Sequence, residues 1–257
     1  MNIFYRSICR LGAFVPALAL AGLLAIAPKA DAWEFGWGKS VKGSGNIKTE
    51  TRNASGFSGI SISVPGVAEI IQGGSEGLTI ESDDNILPLI ETVVEDGTLK
   101  IRLQEKNSSI STKTLKIVIN VKNIEKLSVA GSGELRAAKL KSPQLKASIA
   151  GSGDMNIAAL DVDTIKVSIA GSGSFTAGGK ANSVESKIAG SGDVKIGKLE
   201  AGAVSVSIAG SGDATVWAKD TLKVSVAGSG DIKYYGDAKV NQSVAGSGSV
   251  KRLGNAP

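Results

Sequence analysis

Seven copies of one pentapeptide, Ala-Gly-Ser-Gly followed by an acid or a serine, carry the side chains best spaced for chemistry. The fifth position holds Glu134, Asp154, Ser174, Asp193, Asp213, Asp231 and Ser249. Carboxylates that recur at one position of a repeat can line up and hold cations. Asp193, Asp213 and Asp231, on consecutive copies, form the candidate calcium ladder. The pattern superficially resembles the Gly-Gly-x-Gly-x-Asp loops of calcium-binding β-rolls, but those recur about every nine residues and place a loop on both sides of each turn. Here a single loop recurs at roughly twice that interval, and serine replaces the acid in Ser174 and Ser249. Two unit charges about 4.8 Å apart repel by about 0.9 kcal/mol in water, so something must offset the ladder. Hydrogen bonds from turn N–H groups, with lysines nearby, are the simpler answer. The turn Gly151-Ser152-Gly153-Asp154 is therefore read as structural, with no metal or cofactor assigned; a calcium-stabilised scaffold is the alternative.

Other chemistry finds little material. The chain has no histidine and a single cysteine, Cys9. A polysaccharide lyase or hydrolase needs paired carboxylates and a base in a cleft walled by long loops. Connections between the repeats are short, and arginine in that half is limited to Arg136 and Arg252. An enzyme is the weakest reading, and no catalytic residue is assigned. Lys126, Lys146, Lys166 and Lys223 recur four residues before the motif. They read as a solvated face that discourages sheets from pairing edge to edge; a stripe for acidic polysaccharide is the alternative.

The elements that position these residues follow from the period. The motifs begin at Ala130, Ala150, Ala170, Ala189, Ala209, Ala227 and Ala245, at spacings of 20, 20, 19, 20, 18 and 18 residues. That period, filled with short apolar–polar alternations and no helical periodicity, is one coil of a β-solenoid. The residue before each motif is Val129, Ile149, Ile169, Ile188, Ile208, Val226 or Val244, an inward ladder of β-branched side chains. Leu127, Ala147, Val167, Val206 and Val224 form a second inward ladder, and the serines between the two face out. After the motif, Leu135, Met155, Phe175, Val194, Ala214, Ile232 and Val250 point inward. The fold class is all-β: a right-handed parallel β-helix of 18–20 residues per coil, with about seven coils. Near its end, Gln242, Lys251 and Arg252 are expected to limit pairing at the last edge, leaving a monomer or weak dimer.

The first half is less regular. Ile60 to Val64 alternates, Pro65-Gly66 marks a turn, and Leu115 to Val121 is the strongest strand. Asp96-Gly97 predicts a type I′ hairpin. Asp84 is expected to cap a helical turn reaching Leu89, and Asn107 to Thr114 to be a loop. Gly43-Ser44-Gly45-Asn46 looks like a stray copy of the motif. Residues 1–32 read as a cleaved export signal: Arg6 and Arg10, an apolar run, then Ala30-Asp31-Ala32, with cleavage between Ala32 and Trp33. Removal of that leader takes away Cys9 and lowers the net charge from +5 to +3, because it carries three cations and one anion. So mild a charge points to neither nucleic acid nor an anionic membrane as partner.

Arg52, Phe57-Ser58-Gly59-Ile60, Val67-Ala68-Glu69-Ile70-Ile71-Gln72-Gly73, Leu87-Pro88 and Glu95-Asp96-Gly97-Thr98-Leu99-Lys100-Ile101, followed by serial Gly-Ser-Gly-Asp, resemble the head GIN domain family over roughly residues 46–250. The resemblance implies a β-helical exported protein, described in that family as an auto-transporter adhesin, and supplies no catalytic residue. The expected organisation is an export signal over 1–32, a flexible segment over 33–45, an irregular β-rich half over 46–125, the repeats over 126–250 and a tail over 251–257. The expected role is a non-catalytic periplasmic or extracellular module that binds an envelope glycan or another surface protein, with no membrane anchor after cleavage.

Overall fold

The computed structural model describes residues 40–105 and 108–257. The export signal, its Ala32–Trp33 junction and residues 33–39 lie outside them. In the first half, turn residues set the strand ends. Strands β1 (Ser40–Lys42), β2 (Ile47–Arg52), β3 (Gly59–Ser63), β4 (Val67–Gln72) and β5 (Gly77–Asp83) are followed by the hairpin of β6 (Ile90–Glu95) and β7 (Thr98–Leu103). Asp96 and Gly97 between them have φ of 50° and 67°, the two positive values a type I′ turn requires. Then come β8 (Ser109–Ser111) and β9 (Leu115–Val121).

Three local expectations change. The helical turn is a 3-10 turn over Leu87–Leu89 with Ile86 at its cap position and no side-chain cap. Asp84 is instead engaged by Ser44 Oγ at 2.6 Å and Asn46 Nδ2 at 2.7 Å. Ser109–Ser111, expected in a loop, pair in parallel with Ser40–Lys42, expected in a flexible segment. The stray Gly43-Ser44-Gly45-Asn46 motif is held by Asp83 and its neighbours: Gly45 N–H donates to Asp83 Oδ1 at 2.6 Å, and Ser44 N–H to Asn85 Oδ1 at 2.9 Å. For Asp84, long-range hydrogen bonds from Ser44 and Asn46 outcompete the local helix cap.

The second half is the solenoid. Strand β10 (Lys126–Gly131) leads into β11 (Glu134–Gly151), β12 (Asp154–Gly171), β13 (Ser174–Gly190), β14 (Asp193–Gly210) and β15 (Ala214–Gly228), each one coil. A sixth coil is split into β16 (Ile232–Tyr235) and β17 (Lys239–Gly246), and β18 (Val250–Gly254) begins another. Seven corners thus enclose six turns, one fewer than a count of motifs gives. Breaks in the alternation give each turn three faces. In β12, Met155 and Ile157 point in, Ala158-Ala159 turn, Leu160 and Val162 point in, Asp163-Thr164 turn, and Ile165, Val167 and Ile169 point in. All seven inward side chains are buried. The expected register holds: Val129, Ile149, Ile169, Ile188, Ile208 and Val226 pair in order, and Val244 completes the row on the last coil. Burying each isoleucine contributes about 1.5–3 kcal/mol.

The two glycines of the motif serve different needs. Gly151 has φ 113°, and a Cβ there would sit 2.7 Å from Gly131 O of the preceding coil. Gly153 points into the stack, where a Cβ would lie 2.6 Å from both Gly133 O and Val129 Cγ1. The first glycine turns the chain and the second lets coils approach.

The ends are closed differently. The parallel stack continues below β10 and β11 through β3 and β4, then through β7 and β9. In register, Val64-Pro65-Gly66 occupies the place of Gly131-Ser132-Gly133, so the first corner of the stack lacks the motif. Antiparallel pairing of β6 with β7, and of β5 with β9 and β2, then ends the parallel ladder. At the other end, Gln242 stands opposite Val224, and Arg252 opposite Tyr234, in inward register positions. Arg252 turns back on the preceding coil: Nε donates to Gly236 O at 2.8 Å, and the guanidinium pairs with Asp237. These bonds tie Arg252, at the last edge of the stack, to the coil before it. Val244 and Leu253 remain exposed there.

Candidate functional site

The acidic corner positions stack one coil above another, with a hydrogen-bond pattern that links coils. Asp154 Oδ1 accepts from the N–H and Oγ of Ser174 at 3.1 and 2.7 Å. Asp213 Oδ1 accepts from Asp231 N–H at 2.8 Å, and Asp231 Oδ1 from the N–H and Oγ of Ser249 at 2.9 and 2.8 Å. Asp193 Oδ1 is 3.4 Å from Asp213 N, and its other oxygen lies 3.1 Å from Lys195 Nζ. The donors belong to the next coil and not to the carboxylate's own turn, because stacked corners present each N–H to the residue one coil before. Bonds from the Ser249 hydroxyl and then its N–H hold the Asp231 carboxyl below its ordinary value. Glu134 departs from the pattern and grips Arg136 at 2.6 and 2.7 Å. Among the described residues, no three His, Cys, Asp or Glu side chains are placed to share an ion.

The lysine stripe is interrupted. Lys126, Lys146 and Lys166 are successive in register, but the next position is Glu185, 3.8 Å from Lys166 Nζ and 2.7 Å from Lys187 Nζ. Ser205 separates Glu185 from Lys223.

A groove of about 590 Å³ lies where coil lengths change. Coil β13 drops one residue between Ile157/Ala177 and Leu160/Gly179 of the register. Coil β15 passes directly from Val216 to Trp217 where β14 runs from Ile196 to Glu200, so Gly197-Lys198-Leu199 has no counterpart. The uneven corner leaves a channel lined by Ile157, Ala158, Ala177, Gly178 and Gly197. One row along it is Asn156, Thr176, Lys195 and Thr215, consecutive in register; Lys198, Tyr235 and Pro257 complete the lining. Tyr235 reaches back across Thr215 and lies on Gly197, where a Cβ would be 3.4 Å from Tyr235 Cε2 and 3.0 Å from Thr215 Cγ2. Reading the sequence for long loops missed this groove. The signal was the shortening of the repeat from 20 residues to 19 and 18.

The family model described as "putative auto-transporter adhesin, head GIN domain" matches residues 56–238. The chain belongs to the head GIN domain family. A crystal structure of a "putative adhesin" from Bacteroides fragilis NCTC 9343 superposes on this head GIN domain with a TM-score of 0.77 at 28% identity, covering 83% of this chain and 100% of that one. A "putative lipid binding protein" from Parabacteroides distasonis ATCC 8503 does so at 0.68 and 27%, covering 84% and 100%. A "putative adhesin" from Parabacteroides merdae ATCC 43184, at 0.65 and 23% over 84% and 99%, shares the fold. No curated relative matches the chain. These relatives are described as adhesins or lipid-binding proteins and not as enzymes. Among the described residues of this head GIN domain, no helix is long and apolar enough to cross a membrane.

Proposed function

We propose that this head GIN domain protein is exported, loses its leader between Ala32 and Trp33, and serves in the periplasm or outside the cell as a non-catalytic module that binds a component of the cell envelope. The observation that carries this reading is the in-register stacking of the coils. Six turns with short corners present rows of outward side chains about 4.8 Å apart, a surface suited to an extended partner, and no long loop in the repeats walls a reaction cleft. The relatives' description as adhesins supports the same role. The carboxylate ladder is read as a cap between coils, so a chelator is expected to leave the melting temperature unchanged. The reading is tested by fractionating native cells, determining the N-terminus by mass spectrometry, and incubating the purified protein with washed cell envelopes. A start at Trp33 outside the cytoplasm and saturable envelope binding are expected. An intact Met1 start in the cytosol, or no envelope binding, would overturn it.

A further inference from the structure

We propose that the groove at the uneven corner is a binding site for an extended acidic polysaccharide, with Tyr235 as stacking platform and Lys198 as anion contact. The proposal rests on the envelope-binding reading above and assigns it a site and a ligand class.

Tyr235 supplies the first argument. Tyr235 is half-buried with one ring edge against Gly197, and its ring presents its remaining surface to a flat apolar ligand surface, such as that of a sugar ring. Gly197 leaves room for this seat, since a Cβ there would crowd Thr215 Cγ2 and come into contact with the ring. The second argument is polar. Asn156, Thr176 and Thr215 place an amide and two hydroxyls along one side, groups that both donate and accept hydrogen bonds, as sugar hydroxyls do. The third is charge. No aspartate or glutamate lines the groove, and two lysines do. Lys195 is shared with Asp193, whereas Lys198 is exposed and has no ion-pair partner among the described residues. A cation without a carboxylate beside it favours an anionic ligand.

Other occupants fit less well. An acyl chain calls for an enclosed apolar space, and this channel is open, with a polar row along one side. A peptide added as a strand needs a run of unpaired edge, and the run left unpaired toward β15 at the channel is only the three residues Gly197-Lys198-Leu199.

The test is a titration of protein purified from cells expressing the full chain with polygalacturonate, alginate and hyaluronate, alongside methyl-esterified polygalacturonate and phosphatidylglycerol vesicles. At least one acidic polymer is expected to bind, and its neutral ester at least tenfold more weakly. Tyr235→Ala is expected to weaken that binding by tenfold or more. Lys198→Gln, an exposed change that leaves the coil intact, is expected to weaken it severalfold and to narrow the preference for the acid over the ester. Lys146→Gln, on another face, is expected to leave it unchanged. The proposal is overturned if none of the acidic polymers binds, if Lys146→Gln loses as much as Lys198→Gln, or if Tyr235→Ala abolishes vesicle binding instead. Envelope binding that survives both groove variants sinks the groove alone and leaves the envelope reading standing.

Discussion

The side chain of Gln72 pairs with the backbone of Lys141 as a strand would. Gln72 Oε1 accepts from Lys141 N–H at 2.7 Å, and Nε2 donates to Lys141 O at 2.9 Å and to Lys122 O at 3.2 Å. Strands β3 and β4 underlie two faces of the first coil, and this amide supplies the missing pairing on the third. Gln72→Ala is expected to cost about 1 kcal/mol and to speed hydrogen exchange at the Lys141 amide. An unchanged exchange rate would mean that the contact contributes nothing in solution.

The corner glycines separate crowding from solvation. Gly153→Ala drives a methyl into Gly133 O and Val129 Cγ1, both 2.6 Å from the new Cβ, and is expected to cost about 2 kcal/mol or more. Ser152→Ala, one residue earlier and exposed, is expected to change stability by less than about 0.5 kcal/mol. Urea denaturation of the pair measures the difference; equal midpoints would refute the assignment.

Ile188 lies between Ile169 and Ile208 in the buried ladder and is 2% exposed. Ile188→Val is expected to cost about 1 kcal/mol. Ile188→Asp buries a charge with no partner and is expected to yield no soluble folded protein. A variant that melts like the wild type would place this residue outside the core.

Ser186 occupies the second inward ladder, between Val167 and Val206, and its buried Oγ has no hydrogen-bond partner. A buried hydroxyl without a partner is a net cost, so Ser186→Ala is expected to raise stability by about 1 kcal/mol. A lower melting temperature would show that the hydroxyl is satisfied.

Acid should weaken the fold through particular carboxylates. The Thr112 hydroxyl and then Gly45 N–H hold the Asp83 carboxyl below its ordinary value, and Ser249 does the same for Asp231. A depressed carboxyl binds fewer protons in the folded chain than in the unfolded one. Its stabilisation is therefore present above the unfolded value of about 3.9 and is lost as pH falls through the lower folded value. Melting temperature is expected to be flat near neutrality and to drop below about pH 4. Asp83→Asn should lower the neutral plateau and flatten the acid drop, and an acid profile identical to wild type would exclude Asp83 as a contributor.

Much of this was legible in the chain itself. A repeat of about 20 residues with a β-branched residue before each Ala-Gly-Ser-Gly fixes coil, corner and inward ladder together, because stacking places equivalent residues one above another. Where each carboxylate finds its donor was not legible. Asp154 and Ser174 are 20 residues apart and meet only because coils stack, and Asp84 abandons the local helix cap for Ser44 and Asn46, 40 and 38 residues away. The irregular half resisted reading for the same reason: β7 and β9 extend the stack outside β3 and β4, out of chain order, and no local period encodes that. The groove combines both cases. The shortened spacings stand in the sequence, but only the tertiary structure decides that the missing residues fall at one corner and that Tyr235 reaches back over Gly197. Spacing counts residues per turn, and it takes the packing of neighbouring coils to say which face gives them up.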